Sequence, residues 1–158
     1  MSEISIRDYH PDDAPGLSAL YEASVRTLGA TRYTPDQVEA WLSLAPSPDR
    51  LRDKMADGRL RLVADGSSNL MAFIDIETDG HIDLLYAAPE SARTGVAVRL
   101  YQEAEARVIQ AGVRRLYAEA SELARPFFER RGFVTRGRRD FEVAGVAIHN
   151  FIVEKAPA

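Results

Sequence analysis

The sequence predicts an α/β (α+β) fold, with a mixed, mostly antiparallel sheet of about seven strands and helices on both faces, in a single domain over residues 1–158. Three features predict this fold. Stretches with two-residue alternation and stretches with helical spacing follow one another along the chain. A strand–helix–strand unit over residues 81–120 requires one parallel strand pair, because a crossover helix returns the chain in the same direction. Two strand-like segments then close the chain as an antiparallel pair.

The composition excludes several classes of function. The chain has no Cys, which rules out disulfides, thiolate metal sites and a Cys nucleophile. Its net charge of −4 argues against nucleic acid or an anionic membrane as the main partner. The three His residues are widely spaced, so we expect no metal site. The N-terminus has no signal pattern and no apolar run approaches ~18 residues, so we expect a location in the cytoplasm.

The N-terminal region is predicted to hold one strand and three helices. Ile4 and Ile6 alternate with polar residues, and a turn follows in which Asp12 or Asp13 is the expected helix cap. Gly29 ends this first helix. Its apolar residues recur at helical spacing at Leu17, Leu20, Tyr21, Val25 and Leu28. A second helix opens at residues 34–37, and two prolines over residues 46–48 separate it from a third at 49–56.

The remaining elements alternate between strand and helix. Residues 60–65 and 70–77 are predicted as a hairpin, and residues 81–88 and 115–120 as the strands that flank a long helix ending at Gly112. The buried stripe of that helix is predicted to contain Val96, Leu100, Ala104 and Val108. A short helix over residues 122–131 should be distorted or start late because of Pro126. Residues 133–143 and 146–153 are the closing strands, and the last could pair between subunits of a homodimer.

The start of the long helix suits a phosphate group. Gly95 and Ala97 lie in its first turn, directly after a strand and a short loop. The first N–H groups of a helix have no partner within it, and its N-terminal end carries partial positive charge. Small residues there allow a ligand to approach the backbone closely.

Two motifs in this context resemble those of the GNAT superfamily of acyl-CoA N-acyltransferases. The first is Gln/Arg-x-x-Gly-x-Gly/Ala, which is matched by Ala92-Arg93-Thr94-Gly95-Val96-Ala97 with Ala92 at the leading position. The second is Asn-x-x-Ala-x-x-Phe/Leu-Tyr-x-x-x-Gly-Phe. Its matching positions are Ser121, Ala124, Phe127, Phe128, Gly132 and Phe133, with Ser121 in place of Asn and Phe128 in place of Tyr. The resemblance covers nearly the whole chain and the order of its elements.

The resemblance implies acetyl-CoA, or another acyl-CoA, as the donor. Its pyrophosphate would bind the backbone N–H groups of residues 93–97, and its pantetheine arm would lie between strands 83–88 and 115–120, which splay apart in this family. The arm's amides would pair with the backbone of Leu85, Tyr86 and Ala87, as an added strand does. The other predicted cofactor-binding residues are Ala92, Arg93, Thr94, Gly95, Val96, Ala97, Ser121, Ala124, Phe127, Phe128 and Arg131.

Acyl transfer to an amine needs a base, a donor to the carbonyl oxygen and an acid for the departing thiolate. His81 and Asp83 are the candidate bases, and the alternative for His81 is an exposed position at a strand start. The backbone N–H of Leu85 or Tyr86 is the candidate donor. Phe128 cannot donate a proton and is expected to pack in the core, so the candidates for the acid are Tyr86, Tyr117, Ser121 and water.

Four carboxylates fall on neighbouring predicted strands: Asp75, Glu77, Asp83 and Glu119. Interior strands of a covered sheet are normally apolar, so these side chains are predicted to line an acceptor cleft that attracts a cationic amine. The alternative is that they face solvent or pair with Arg61 and Arg115. Tyr33 and Trp41 are candidates for the wall of this cleft, with core packing as the alternative for Trp41.

These observations predict an N-acetyltransferase that moves an acetyl group from acetyl-CoA to a primary amine of a small molecule or peptide. Because the chain has no Cys, the acetyl group cannot pass through a Cys thiol. We therefore expect the amine to attack acetyl-CoA directly in a ternary complex. The alternatives are a non-catalytic acyl-CoA-binding module and an unrelated nucleotide binder. The nucleotide binder is disfavoured because Gly-x-x-x-x-Gly-Lys-Ser/Thr and full Gly-x-Gly-x-x-Gly patterns are missing.

Overall fold

The computed structural model describes residues 3–157, so Met1, Ser2 and Ala158 lie outside it, including part of the N-terminal stretch that was searched for a signal pattern. Seven strands lie within this range: β1 (Ser5–Asp8), β2 (Leu60–Asp65), β3 (Leu70–Ile76), β4 (Ile82–Ala87), β5 (Leu116–Ala120), β6 (Val134–Val143) and β7 (Val146–Lys155). Its α-helices are α1 (Ala14–Leu28), α2 (Pro35–Ser43), α3 (Pro48–Lys54), α4 (Val96–Gln110) and α5 (Arg125–Arg130). The predicted mixed α/β fold is confirmed.

The strands form two antiparallel sheets that meet at one point. The first sheet has the order β1-β2-β3-β4 and the second has the order β5-β7-β6. Between β4 and β5 the structure has a single parallel bridge, from His81 to Tyr117. Beyond this bridge the two strands separate, so the predicted parallel pair is open along most of its length.

Both faces of the first sheet are covered by helices. Leu62 and Ile74 face α4, which places its predicted stripe of Val96, Leu100, Ala104 and Val108 in the same buried cluster. Val63 and Phe73 alternate with them and pack on the opposite face against Leu17 and Leu51, from α1 and α3 respectively. The two-residue period of the strands and the helical period of α4 therefore fix which residues form each core layer.

Local signals account for most helix ends. Thr34 and Gln37 form a capping box at the start of α2, with each side chain bonded to the other residue's backbone N–H. Pro126 lies in the first turn of α5. The helix begins at Arg125 rather than at residue 122, so the late start predicted from Pro126 is observed. Asp13 is the N-cap residue of α1, as predicted, but its side chain makes no capping bond to that helix. The His10 side chain accepts from the Asp12 N–H, while Asp13 accepts from the His10 N–H.

Strand β7 lies in the middle of its sheet. Both of its edges are paired, one with β5 and the other with β6. The edge toward β5 is paired only from Phe151 onward, so residues 146–150 have no strand partner on that side within residues 3–157, and pairing of this strand between subunits stays a prediction.

Candidate active site

A cleft of about 450 Å³ opens where β4 and β5 separate. Its walls include Leu84, Leu85, Tyr86 and Ala87 from β4; Ala118, Glu119 and Ala120 from β5; and Ser121, Ala124, Phe127 and Phe128 from the segment that follows. Helices α1 and α2 contribute Tyr21 and Trp41, and Tyr33 lies between those helices. The cleft thus brings together predicted cofactor-binding residues, both predicted bases and the predicted aromatic wall.

One backbone edge of β4 faces this cleft. The Ala88 N–H donates to the Met71 carbonyl at 2.8 Å, which directs Ala88 and Tyr86 toward β3. Because successive residues of a strand point their backbone groups to opposite edges, the N–H groups of Leu85 and Ala87 point toward the cleft. Of the two predicted backbone donors, the Leu85 N–H therefore faces the cleft, whereas the Tyr86 N–H faces β3.

The loop before α4 leaves several N–H groups free. Gly95 has φ +85° at the helix N-cap, and no side chain caps the helix there. Among residues 3–157, no acceptor is found for the N–H groups of Arg93, Gly95, Val96 and Ala97. The N–H of Thr94 is used within the loop, since it donates to the Ser91 carbonyl at 3.3 Å. The N–H of Ala92 is also used there, on the Pro89 carbonyl at 3.2 Å.

The space around Gly95 fits a phosphate group. A Cβ built on this residue would meet no atom within 4 Å, so the helix start is open to a ligand. The free N–H groups, the open approach and the positive end of the α4 dipole together form an anion site that matches a pyrophosphate. This site is adjacent to the cleft, since Ala97 also lines it.

Residues of the second motif form one side of the cleft. Ser121 Oγ accepts from the Ala124 N–H at 3.1 Å and so orders the turn before α5. Phe128 is buried, with its ring centroid 4.9 Å from that of Phe133, and it also lines the cleft. Its predicted core packing is observed. Arg131 is placed differently: it lies over the Phe127 ring and is not among the residues that line the cleft.

His81 lies between two carboxylates at the closed end of the cleft. Its Nδ1 is 2.5 Å from Glu77 Oε1, and its Nε2 is 2.6 Å from Glu119 Oε2. The ring stacks on Tyr117 with centroids 4.9 Å apart. The hydrogen bond with Glu119 is the main cause that raises the pKa of His81 to about 9, with a further contribution from Glu77 and against the effect of burial. The alternative of an exposed His81 is wrong, because only 19% of its side chain is accessible.

Asp83 lies in a β-bulge beside this cluster. Asp75 pairs with Leu84 and Ile76 with Ile82, which leaves Asp83 as the extra residue of β4. Burial raises the pKa of the Asp83 carboxyl, but the hydrogen bond from Arg59 and the charge of Lys54 outweigh it and lower the pKa overall. The carboxylate is 2.7 Å from Arg59 Nη1 and 3.1 Å from Lys54 Nζ, so it is ionised and already paired.

Two parts of the predicted acceptor site are corrected: Glu77 is not among the residues that line the cleft, and neither is Asp75. Asp75 is fully buried, and both its oxygens lie 2.6 Å from donors of the Arg61 guanidinium. Pairing with Arg61 was the alternative. Arg115 instead pairs with Glu154, and the second cation on Asp75 is Arg59, which sequence reasoning did not assign.

Tyr86 presents its ring to the cleft. The ring centroid is 4.4 Å from that of Tyr21, and burial raises the pKa of the Tyr86 hydroxyl well above 10. The hydroxyl therefore stays protonated, as a proton donor must. The other two side-chain candidates are occupied: Tyr117 bonds to Asp79 outside the cleft, and Ser121 caps the turn.

Two polar residues of the second sheet lie at the far end of the cleft. Arg139 and Asn150 line it, and they belong to β6 and β7. The Trp41 ring lies 6.2 Å from Tyr33 and 6.0 Å from Phe141. Both predicted aromatics line the cleft, and Trp41 is also packed against β6.

An open parallel strand pair, a free strand edge and an anion site at a helix start define an acyltransferase that takes its acyl group from a coenzyme A thioester. The chain belongs to the GNAT acetyltransferase family: the family model for the acetyltransferase (GNAT) domain matches residues 29–155. It is therefore an N-acetyltransferase, and the catalytic interpretation is supported over a non-catalytic acyl-CoA-binding module. The nucleotide-binder alternative is wrong.

Individual relatives agree with this assignment. The uncharacterized N-acetyltransferase YafP of Escherichia coli (strain K12) is 32% identical over 157 residues, covering 99% of each chain. A GCN5-related N-acetyltransferase structure from Rhodopseudomonas palustris has a TM-score of 0.89 at 30% identity, covering 99% of this chain and 98% of that one. The PaiA N-acetyltransferase of Thermoplasma acidophilum, solved with coenzyme A, shares the fold at a TM-score of 0.79 and 22% identity, covering 98% and 99% of the two chains. Among residues 3–157, no helix is both long and apolar enough to span a membrane.

Proposed function

We propose that this protein transfers the acetyl group of acetyl-CoA to a primary amine of a small molecule or peptide, by direct attack of the amine in a ternary complex. The observation that carries the proposal is the position of the free β4 edge, which lies in one cleft with the His81 cluster. In the reaction the amide C–N bond forms as the thioester C–S bond breaks. The amine loses one proton, and coenzyme A leaves as the thiol.

Acetyl-CoA supplies the activated carbonyl, and this chain supplies its binding site. The N–H groups of Gly95, Val96 and Ala97 would hold the pyrophosphate, because they lack acceptors and the approach to Gly95 is open. The backbone of Leu85 and Ala87 would pair with the amides of the pantetheine arm. The N–H of Leu85 also suits the carbonyl oxygen, on which negative charge builds during attack.

The His81 cluster is the proposed proton acceptor. A base with a pKa near 9 is matched to an amine better than an isolated carboxylate is, because the proton is transferred between groups of similar basicity. The neutral imidazole, present as pH rises toward 9, would take up the proton at Nε2 by way of Glu119, which bonds to that atom and lines the cleft. Glu119 and Glu77 would stabilise the resulting charge. Asp83 is the less suitable base, since Arg59 and Lys54 already neutralise it.

Tyr86 is the proposed acid for the thiolate. Its hydroxyl stays protonated over the pH range in which the enzyme would act. Tyr86 also lies on β4, the strand whose backbone would bind the acetyl-CoA thioester. A thiolate is a stable leaving group, so loss of this acid should lower kcat by ~10²-fold or less.

The first experiment measures thiol release from acetyl-CoA with a panel of small primary amines and peptides. We expect turnover with the wild-type protein and a fall in kcat of roughly 10–100-fold for Tyr86→Phe, with little change in KM for acetyl-CoA. The matched control is Tyr101→Phe, which removes a hydroxyl on α4 that bonds to Glu105, remote from the cleft. An unchanged kcat for Tyr86→Phe would remove Tyr86 from the mechanism. Acetyl-CoA binding without turnover of any amine would overturn the proposed activity.

We also propose the partners and the cellular location of this protein. A net charge of −4 supports a protein that acts on acetyl-CoA and an amine without nucleic acid, and the lack of Cys is consistent with the cytoplasm. A homodimer remains a proposal that light scattering tests directly. In the second sheet β6 is an outer strand, so that pairing would use β6 or residues 146–150 of β7, which have no strand partner on the β5 side in the described part of the chain.

A further inference from the structure

The cleft has positive charge that the protein does not neutralise. Its two carboxylates are already paired: Asp83 with Arg59 at 2.7 Å and Glu119 with His81 at 2.6 Å. Arg50 and Arg139 also line the cleft, and neither has a carboxylate partner within residues 3–157. The cleft should therefore attract an anion. The four carboxylates predicted from the sequence would instead have attracted a cationic amine.

Arg139 is the better ordered of the two arginines. Its Nε donates to Asn150 Oδ1 at 3.1 Å, and its guanidinium lies 4.6 Å from the centroid of the Phe141 ring. Asn150 is only 3% exposed, so a buried side chain holds the exposed cation in place. The two terminal amino groups of Arg139 remain available, and such a fork binds a carboxylate through two hydrogen bonds.

The strand register places Arg139 on the same face as the catalytic cluster. Glu119 is opposite Ile152, and Asn150 lies two residues along β7 from Ile152 and opposite Arg139. Cross-strand partners and residues two apart share a face, so Glu119, Asn150 and Arg139 form one diagonal row. The side chain of Arg139 reaches back to the middle strand, which lies ~4.8 Å from the strand of Glu119. The pKa of Glu119 is lowered mainly by its hydrogen bond with His81, and the charge of Arg139 lowers it further.

The same end of the cleft is otherwise apolar and aromatic. Tyr33, Trp41 and Leu44 line it, and Leu44 is 45% exposed. The Nε1–H of Trp41 is buried and has no hydrogen-bond partner, which indicates a place for an acceptor oxygen. These walls would accept an apolar body that is joined to a polar, oxygen-bearing group.

We infer that the acceptor is an α-amino acid with an apolar side chain, whose carboxylate binds Arg139 while its amino group faces Glu119 and His81. The inference rests on the proposed acetyl transfer and names its substrate class. The reaction is unchanged: the amino nitrogen gains the acetyl group, its proton passes to the His81 cluster, and coenzyme A leaves as the thiol. The spacing of one strand between the side chains of Asn150 and Glu119 fits an amino group and a carboxylate on one carbon, and the Arg139 cation would repel the second ammonium group of a diamine.

The first test compares phenylalanine, phenylalaninamide and phenethylamine as acceptors, with thiol release as the measurement. We expect kcat/KM to be at least about 10-fold higher for phenylalanine than for either compound without the carboxylate, as loss of a charged hydrogen bond implies. Arg139→Gln should lower kcat/KM for phenylalanine by about 10–100-fold and lower it much less for phenethylamine, which has no carboxylate to bind. The matched control is Arg138→Gln, which removes the neighbouring cation on the other face of β6, where it pairs with Asp140. Equal or better turnover of phenethylamine by the wild-type protein would overturn the inference.

The second test does not depend on turnover. Calorimetry measures binding of N-acetylphenylalanine, which keeps the carboxylate and the ring, to the wild-type, Arg139→Gln and Arg138→Gln proteins. We expect affinity to fall by about 10-fold or more only in Arg139→Gln. If this pattern holds while no amine is acetylated, the proposed function fails and the carboxylate site stands. If N-acetylphenylalanine binds equally well to all three proteins, the substrate class is wrong even where other amines are acetylated.

Discussion

His81 is flanked by Glu77 and Glu119, and this arrangement makes its charge, and with it its contribution to stability, depend on pH. In the folded chain its pKa is raised from 6.5 to about 9, mainly by the bond with Glu119. A raised pKa means that folding favours the charged imidazole. The stabilisation is therefore complete below pH 6.5 and is lost as the pH rises through about 9.

The first prediction concerns this titration. Proton NMR of the His81 ring should show a midpoint near pH 9 in the wild-type protein, and kcat/KM should rise over the same range if the neutral ring is the base. Glu119→Gln should move the midpoint down toward 6.5, because the strongest partner of the imidazolium is lost. Glu103→Gln is the control, since Glu103 pairs with Arg107 on α4 and does not touch His81. A wild-type midpoint near 6.5 would contradict the cluster.

The sequence predicted which ionisable residues line the site better than it predicted the residues with which they pair. His81, Asp83 and Glu119 were recognised as candidates, and all three line the cleft. Which carboxylate bonds to His81 depends on how β5 approaches β4, and a single bridge at His81 sets that approach. The pairing of Asp83 with Arg59 depends on a bulge, which leaves no local mark in the sequence.

Among the elements, α4 shows how a local pattern predicts a binding function. Gly95 at its start and Gly112 after its end both have positive φ, and a Cβ on either would meet nothing within 4 Å. The two glycines thus share a left-handed backbone conformation and open surroundings at opposite ends of one helix. Only the N-terminal end presents free N–H groups and the positive end of the dipole.

The second prediction uses this pair. Gly95→Trp should abolish binding of coenzyme A, as measured by calorimetry, because the indole would occupy the approach to the free N–H groups. Gly112→Trp should leave the affinity unchanged. Both should lower stability to a similar, small extent, about 1 kcal/mol, because each puts a side chain in the left-handed region. Retained coenzyme A affinity in Gly95→Trp would show that the pyrophosphate binds elsewhere.

Helices and hairpins could be predicted because their signals are local, whereas sheet order could not. The capping box of Thr34 and Gln37 and the stripe of α4 are both written in nearby residues. The central place of β7 depends on its pairing with β5, and α5 and β6 separate these two strands along the chain. That is why the sequence did not predict Arg139 or Asn150 in the acceptor cleft: they enter it only through the register of β6 on β7.

In the whole molecule, the cleft exists because two sheets are joined at one end and open at the other. The joint is compact. The Tyr117 N–H donates to the Gly80 carbonyl at 3.1 Å, and a Cβ on Gly80 would lie 1.8 Å from the Arg115 carbonyl oxygen. Only glycine allows the start of β4 to approach β5 so closely, so this residue determines where the strands meet and, through that, the distance between His81 and Glu119.

The last prediction tests this joint with Gly80→Ala. The added methyl group would clash with backbone, which cannot move without separating the sheets, so we expect a loss of roughly 2–4 kcal/mol in the free energy of unfolding. Coenzyme A affinity should fall, and the pKa of His81 should move toward 6.5 as its bond with Glu119 lengthens. Gly58→Ala is the control. Its φ of +82° imposes comparable strain, but its nearest neighbour is the Thr78 side chain at an ordinary 3.6 Å. Denaturant unfolding, calorimetry and NMR titration of both variants separate the effects, since strain alone would make the two variants alike. If they are alike in all three measurements, the contact between Gly80 and Arg115 does not set the cleft, and the opening must depend on how α4 and α5 pack.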